Sequence, residues 1–149
     1  VLTEYSDSGQ YRLILPVDLV VSNKFEESAN PCKVDVDKIP DSSLIMDIGP
    51  KTVALYNSIL NNSKTVLWNG TMGLFEWESF SFGTSSIANT IAGLNDSVTV
   101  VGGGSTAEAV FSLNLNAKMT HVSTGGGASL EFLEDSVLPG VSVLLDKEE

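Results

Sequence analysis

Short runs of apolar and β-branched residues alternate along the chain with segments whose apolar positions recur every three or four residues. Residues 13–21 read as a strand that Pro16 can break. Residues 50–60 read as a helix, with Pro50 at its first position and Val53, Leu55, Tyr56, Ile59 and Leu60 on one face. Residues 65–68 are the next strand. A helix is expected over 84–94, opened by Thr84 as its cap, with Ile87, Ile91 and Leu94 on one side. Residues 97–101 form a strand that runs into Gly102, and 105–113 are helical. A short strand at 121–123 leads into Gly125, Gly126, Gly127 and a helix through Leu133. The segment 23–45 is less regular and reads as a surface excursion.

Strands that are apolar throughout, separated by helices, predict an α/β fold: a Rossmann-like parallel sheet with helices on both faces. Ligands bind such sheets at the carboxyl ends of the strands. Three of these ends carry conspicuous loops: Asn69-Gly70-Thr71-Met72-Gly73, Gly102-Gly103-Gly104-Ser105-Thr106 and Ser123-Thr124-Gly125-Gly126-Gly127. A glycine turn between strand and helix aims several backbone N–H groups at one point, and the helix dipole favours an anion there. The plainer alternative, a tight turn with no ligand, is weakened by finding two glycine triplets, each flanked by Ser or Thr. No GxxxxGK[ST] is present, so the P-loop class is excluded. Gly102, Gly104 and Ala107 match a loose GxGxxA, but the next strand ends in Ser123 and Thr124, with no acidic residue for a dinucleotide ribose.

Composition narrows the partners. The chain has 149 residues, 42% hydrophobic and 18% charged, enough for one globular domain with a core. Eight basic residues face nineteen acidic ones, for a net charge of −11, which disfavours nucleic acid. It also means that a phosphate must be held by local donors or by another domain. The longest apolar runs, such as 13–15 and 98–101, are far below the ~18 residues of a membrane span. Val1-Leu2-Thr3-Glu4 is not the start of a signal peptide, and the missing initiator Met suggests a mature form or a fragment. The single Cys32 fits a reducing compartment. The sequons beginning at Asn61, Asn69 and Asn95 are read as chance occurrences.

From Leu15-Pro16-Val17-Asp18 to Leu138-Pro139-Gly140-Val141 the chain resembles phosphoglycerate kinase. The resemblance is carried by Trp68-Asn69-Gly70 with Gly73, by Phe75-Glu76-Trp77-Glu78, and by the stretch His121 to Glu131 containing Gly125-Gly126-Gly127-Ala128-Ser129. It implies the last third of a two-domain enzyme: residues 1–149 would be a partial C-terminal nucleotide-binding domain, with the N-terminal domain absent. It further implies phosphoryl transfer between 1,3-bisphosphoglycerate and ADP, giving 3-phosphoglycerate and ATP, by a cytoplasmic monomer with Mg2+ carried on ADP or ATP. Neither a nucleic-acid nor a membrane partner is expected.

By the same resemblance, Glu76 accepts hydrogen bonds from the ribose, and Met46 lies against adenine. Asn69, Gly70, Met72 and Phe75 line the nucleotide cleft. Gly102, Gly103, Gly104, Ser105 and Thr106 cradle the nucleotide phosphates. Gly125, Gly126 and Gly127 donate N–H groups to the phosphoryl group in flight, with help from the Thr124 hydroxyl. His121 is implied to be structural, near the interdomain hinge.

Three positions depart from the family pattern: Ser105 stands where an Asp contacts magnesium, Thr71 where Pro is usual, and Ile45 where Gly is frequent. A serine hydroxyl is a weaker magnesium ligand than a carboxylate, so weakened metal–nucleotide binding is expected. Glu108, one helical turn on, is expected to be solvated. The family's phosphate-contacting lysines and its basic phosphoglycerate patch have no counterpart here, so the chain alone should not turn over. Two other readings stand beside this one: a Rossmann-type NAD or other binding domain, and a non-catalytic homologue that has lost its magnesium chemistry.

Overall fold

The computed structural model describes residues 13–134 and 137–144; the opening Val1–Glu4 lies outside them. Among the described residues, two three-stranded sheets make up the strand framework. One contains β1 (Asp18–Ser22), β2 (Cys32–Asp35) and β3 (Leu44–Ile48), in the order β2-β1-β3. The other contains β4 (Thr65–Asn69), β5 (Val98–Gly102) and β6 (His121–Ser123), in the order β4-β5-β6.

The second sheet is parallel throughout, as the alternation of strands and helices predicts. The first sheet is antiparallel and departs from that expectation. Its strands are linked by 23–31 and 36–43, which hold no crossover helix of the kind parallel pairing requires. The predicted strand over 13–21 shrinks to Asp18–Ser22, leaving Pro16 outside the ladder. Residues 23–45, expected to be an irregular excursion, contribute β2 and the start of β3.

Helix α1 (Pro50–Leu60) follows β3, and α2 (Phe82–Ala92) joins β4 to β5. α3 (Gly104–Ser112) joins β5 to β6, and α4 (Gly127–Leu133) follows β6. A single turn, α5 (Pro139–Ser142), is the last element among the described residues. Alternation along β4 buries Val66 and Trp68 and turns Leu67 outward. Val66 and Trp68, with Val101 from β5, pack against Val53, Ile87, Ile91 and Val110 from the first three helices. The opposite face is met by α4, which with Leu67, Val100 and His121 encloses a groove of about 390 Å³. Phe80, Met46, Val20 and Ala29 form a second, smaller core against the antiparallel sheet.

α2 begins Phe82-Gly83-Thr84-Ser85-Ser86, a poor opening by intrinsic propensity. It is held by tertiary contacts: Gly83, Thr84, Ile87, Ala88 and Ile91 are all buried. The helix therefore starts two residues before Thr84, and Thr84 is a buried first-turn residue rather than the expected cap. Among the described residues, no helix is long and apolar enough to cross a membrane.

Candidate functional site

The carboxyl ends of β4, β5 and β6 lie side by side, since Asn69 pairs with Gly102 and Gly102 with Ser123. That register brings the three glycine-bearing turns to one edge of the sheet. Cross-links between the turns are direct. Gly70 N–H donates to Thr106 Oγ1 at 2.8 Å, Gly103 N–H to the Gly125 carbonyl at 3.2 Å, and Asn69 Nδ2 to the Gly126 carbonyl at 3.4 Å. Thr106 is almost wholly buried, so its hydroxyl ties two turns together.

Gly103 shows why glycine is required here. Its φ is +97°, a region that side chains rarely adopt, and a Cβ would lie 3.1 Å from Asn69 Oδ1. With the chain turned at that point, α3 starts at Gly104. The N–H groups of Gly104, Ser105 and Thr106 have no acceptor within the helix. They form a patch of donors at the positive end of the helix dipole, and Gly104 and Ser105 are exposed.

The second triplet is more heavily braced. Gly125 N–H donates to Ser123 Oγ at 3.2 Å, and the Gly125 carbonyl accepts from Ser129 Oγ at 2.5 Å as well as from Gly103. Gly125 thus fixes the turn, while Gly126 and Gly127 stand at the head of α4 with Thr124 exposed beside them.

Met72, Phe75 and Glu76 lie in the loop after β4, with Met72 packed against the larger core, whereas Met46 lies in β3 in the smaller one. Leu74 N–H donates to the Met46 carbonyl at 3.0 Å, tying the loop after β4 to β3. Glu76 is exposed, and Met72 and Phe75 are half-buried. The Met46 side chain is buried with Val20, Ala29 and Phe80, and it is Ile45, next to it, that is 60% exposed. His121 lies on the groove on the far face of the sheet with Leu67 and Val100.

Two buried aspartates hold this framework. Asp18 accepts from the N–H groups of Lys51 (3.0 Å) and Thr52 (2.7 Å), capping α1, whose own cap residue is Gly49. Burial pushes the Asp18 carboxyl up. The Thr52 hydroxyl, the Lys51 and Thr52 N–H groups and the Lys51 charge outweigh it and hold the carboxyl below its ordinary value. Asp47 plays the same part for α2, accepting from Gly83 N–H at 2.7 Å and from Ile48 N–H at 2.9 Å. Burial dominates here and pushes its carboxyl up to about 6 despite those two donors. Asp18 closes the Leu15-Pro16-Val17-Asp18 stretch at which the family resemblance begins, but its capping role is not marked there; Asp47, within Ile45-Met46-Asp47-Ile48, is signalled only as an acidic residue among apolar ones.

No group of three or more His, Cys, Asp or Glu side chains among the described residues could hold a metal ion. At the head of α3 the donors suit an anion, and the exposed Ser105 hydroxyl is one neutral oxygen that could join, but not by itself hold, the shell of a divalent ion.

Sequence comparison matches the family described as phosphoglycerate kinase over residues 1–136. Relatives include the phosphoglycerate kinase of Fusobacterium nucleatum, 49% identical over 136 residues, covering 91% of this chain and 34% of that protein. That of Borrelia duttonii is 52% identical over 132 residues, covering 89% and 33%. The solved phosphoglycerate kinase of Coxiella burnetii superimposes with a TM-score of 0.85 at 38% identity, over 94% of this chain and 36% of that one. The chain spans about a third of the length of the curated relatives it matches. It belongs to the phosphoglycerate kinase family.

Proposed function

We propose that this chain is the larger part of the nucleotide-binding domain of a kinase that moves a phosphoryl group between 1,3-bisphosphoglycerate and ADP, giving 3-phosphoglycerate and ATP. The observation that carries the reading is the meeting of three glycine turns at one sheet edge, where the N–H groups at the heads of α3 and α4 have no acceptor among the described residues. In a chain of net charge −11, such local donors are what can attract phosphate.

The N–H groups of Gly104, Ser105 and Thr106 receive the nucleotide phosphates, with Gly102 and Gly103 shaping the turn that presents them. Those of Gly126 and Gly127, with the Thr124 hydroxyl, face the phosphoryl group in flight, and Gly125 braces them. Asn69 and Gly70 close the cleft between the two turns. Glu76 accepts from the ribose hydroxyls, Met72 and Phe75 supply apolar wall, and Met46 supports the adenine end from beneath. Ser105 would be the residue to meet a magnesium ion carried by the nucleotide, more weakly than an Asp there, and that ion would supply neutralisation of phosphate charge.

The reaction forms a bond from a β-phosphate oxygen of ADP to phosphorus as the acyl-phosphate P–O bond breaks. The nucleophile is already deprotonated, so no general base is needed and His121 keeps a structural role. Catalysis is then positioning and charge stabilisation, strongest when closure excludes water. The phosphoglycerate site and the lysines that meet the nucleotide phosphates belong to the part of the family outside this chain. The chain alone is therefore inactive and works within a monomeric cytoplasmic enzyme.

A coupled assay on the complete protein tests this: ATP should form from 1,3-bisphosphoglycerate and MgADP. A protein that binds MgADP yet forms no ATP would support a non-catalytic homologue instead.

A further inference from the structure

The loop between β4 and α2 is fastened at every step from Gly70 to Leu74 except Thr71. Gly70 N–H is taken by Thr106 Oγ1 at 2.8 Å. Met72 N–H and Gly73 N–H both point to Thr84 Oγ1, at 3.0 and 3.4 Å. Leu74 N–H is taken by the Met46 carbonyl at 3.0 Å. Gly73 lies so close to β3 that a Cβ there would fall 2.5 Å from both Asp47 Oδ1 and the Met46 carbonyl.

The anchor of this arrangement is the start of α2. Ser81, the cap residue, gives that helix no side-chain cap, and its hydroxyl donates instead to the Glu78 carbonyl at 3.0 Å. Asp47 Oδ2 takes the Gly83 N–H from outside the helix. One residue further on, Thr84 is completely buried with its hydroxyl turned to the loop. Asp47 thus fixes the helix start, the helix start fixes Thr84, and Thr84 fixes the backbone of Met72 and Gly73.

We propose that Thr84, held in place by Asp47, is a positioning residue for the nucleotide: it sets the 70–76 loop in its binding shape before any ligand arrives. This rests on the nucleotide reading above. Neither residue touches the nucleotide; they act through the backbone of Met72 and Gly73, which leads on to Phe75 and Glu76. A loop already ordered does not spend binding free energy on its own ordering, so the arrangement shows up as affinity.

The test uses the complete protein with Thr84→Val, which keeps the shape and removes the acceptor, and Thr84→Ser, which keeps the hydroxyl. Thr84→Val should raise the ADP dissociation constant at least about tenfold, because two loop amides lose their acceptor and part of that cost falls on ordering the loop when ADP binds. Hydrogen exchange should speed up in 70–76 while β4 and β5 keep their protection. Thr84→Ser should restore both readouts. Equal ADP affinity in the parent and Thr84→Val would overturn the proposal, as would protection lost evenly across the domain, which marks a merely structural residue. If the parent itself binds no ADP, the nucleotide reading fails and this role fails with it. That result is distinct from a parent and variant that bind alike.

Discussion

Asp47→Asn should alter the pH dependence of stability in a defined direction. Asp47 is buried to 1% exposure, and its carboxyl is raised from 3.8 to about 6, chiefly by burial. A shift of about two units corresponds to about 3 kcal/mol between the two protonation states. Because the folded value is the raised one, this stabilising contribution is fully present below 3.8 and is lost as pH rises through about 6. Asparagine does not titrate. The stability of the parent relative to Asp47→Asn should therefore fall by about 3 kcal/mol across that window, with roughly half of the change between pH 5 and 7.5.

At neutral pH two effects of the substitution oppose each other. The variant removes a desolvated charge, but its amide can accept from only one of the Gly83 and Ile48 N–H groups, and an orphaned buried N–H costs about 1–3 kcal/mol. Urea unfolding followed by tryptophan fluorescence, at steps from pH 4.5 to 8, measures the difference directly. Asp18, whose carboxyl is lowered, adds stability that is lost as pH falls, but it is common to both proteins and cancels. A parent–variant difference that stayed flat, or grew with pH, would refute the reasoning.

Three further outcomes are expected. Thr52→Val should destabilise the domain by about 2–4 kcal/mol in the same unfolding assay, because the Thr52 hydroxyl is the acceptor for the N–H groups of both Val17 and Asp18 at 3.0 Å. Gly103→Ala should cost about 1–3 kcal/mol in thermal unfolding and weaken ADP binding in calorimetry, since it strains a φ of +97° and crowds Asn69. Ser105→Asp in the complete protein should tighten nucleotide binding in the presence of magnesium but not in its absence; equal magnesium-dependent affinity in the two proteins would count against a metal contact at this position.

The parallel half of the fold was readable because short apolar and β-branched runs, such as 65–68 and 98–101, alternate with helices that carry a clear face. α1, β4, β6 and the glycine turns fall within a residue or two of the positions expected from those patterns. The antiparallel half was not readable in the same way. β2 is Cys32-Lys33-Val34-Asp35, an exposed or half-buried strand with weak alternation, and only its pairing with the buried β1 gives it form. Thr84 looked like a cap because the residue type suits one, whereas a carboxylate from β3, distant in sequence, supplies the cap and frees the hydroxyl for the loop. Local chemistry marked the glycines. It could not mark Asp47 or Thr84, whose roles depend on which elements meet in space.

The central claim is that the edge formed by the three turns binds a nucleoside diphosphate through backbone amides. Amide chemical-shift mapping of the complete protein during titration with MgADP, and separately with NAD, tests it most directly. The account predicts saturable shifts for MgADP centred on Gly104, Ser105, Thr106, Gly126 and Gly127, with Glu76 at their margin, and none for NAD. Shifts with NAD at these amides, or MgADP shifts that avoid both glycine turns, would contradict it.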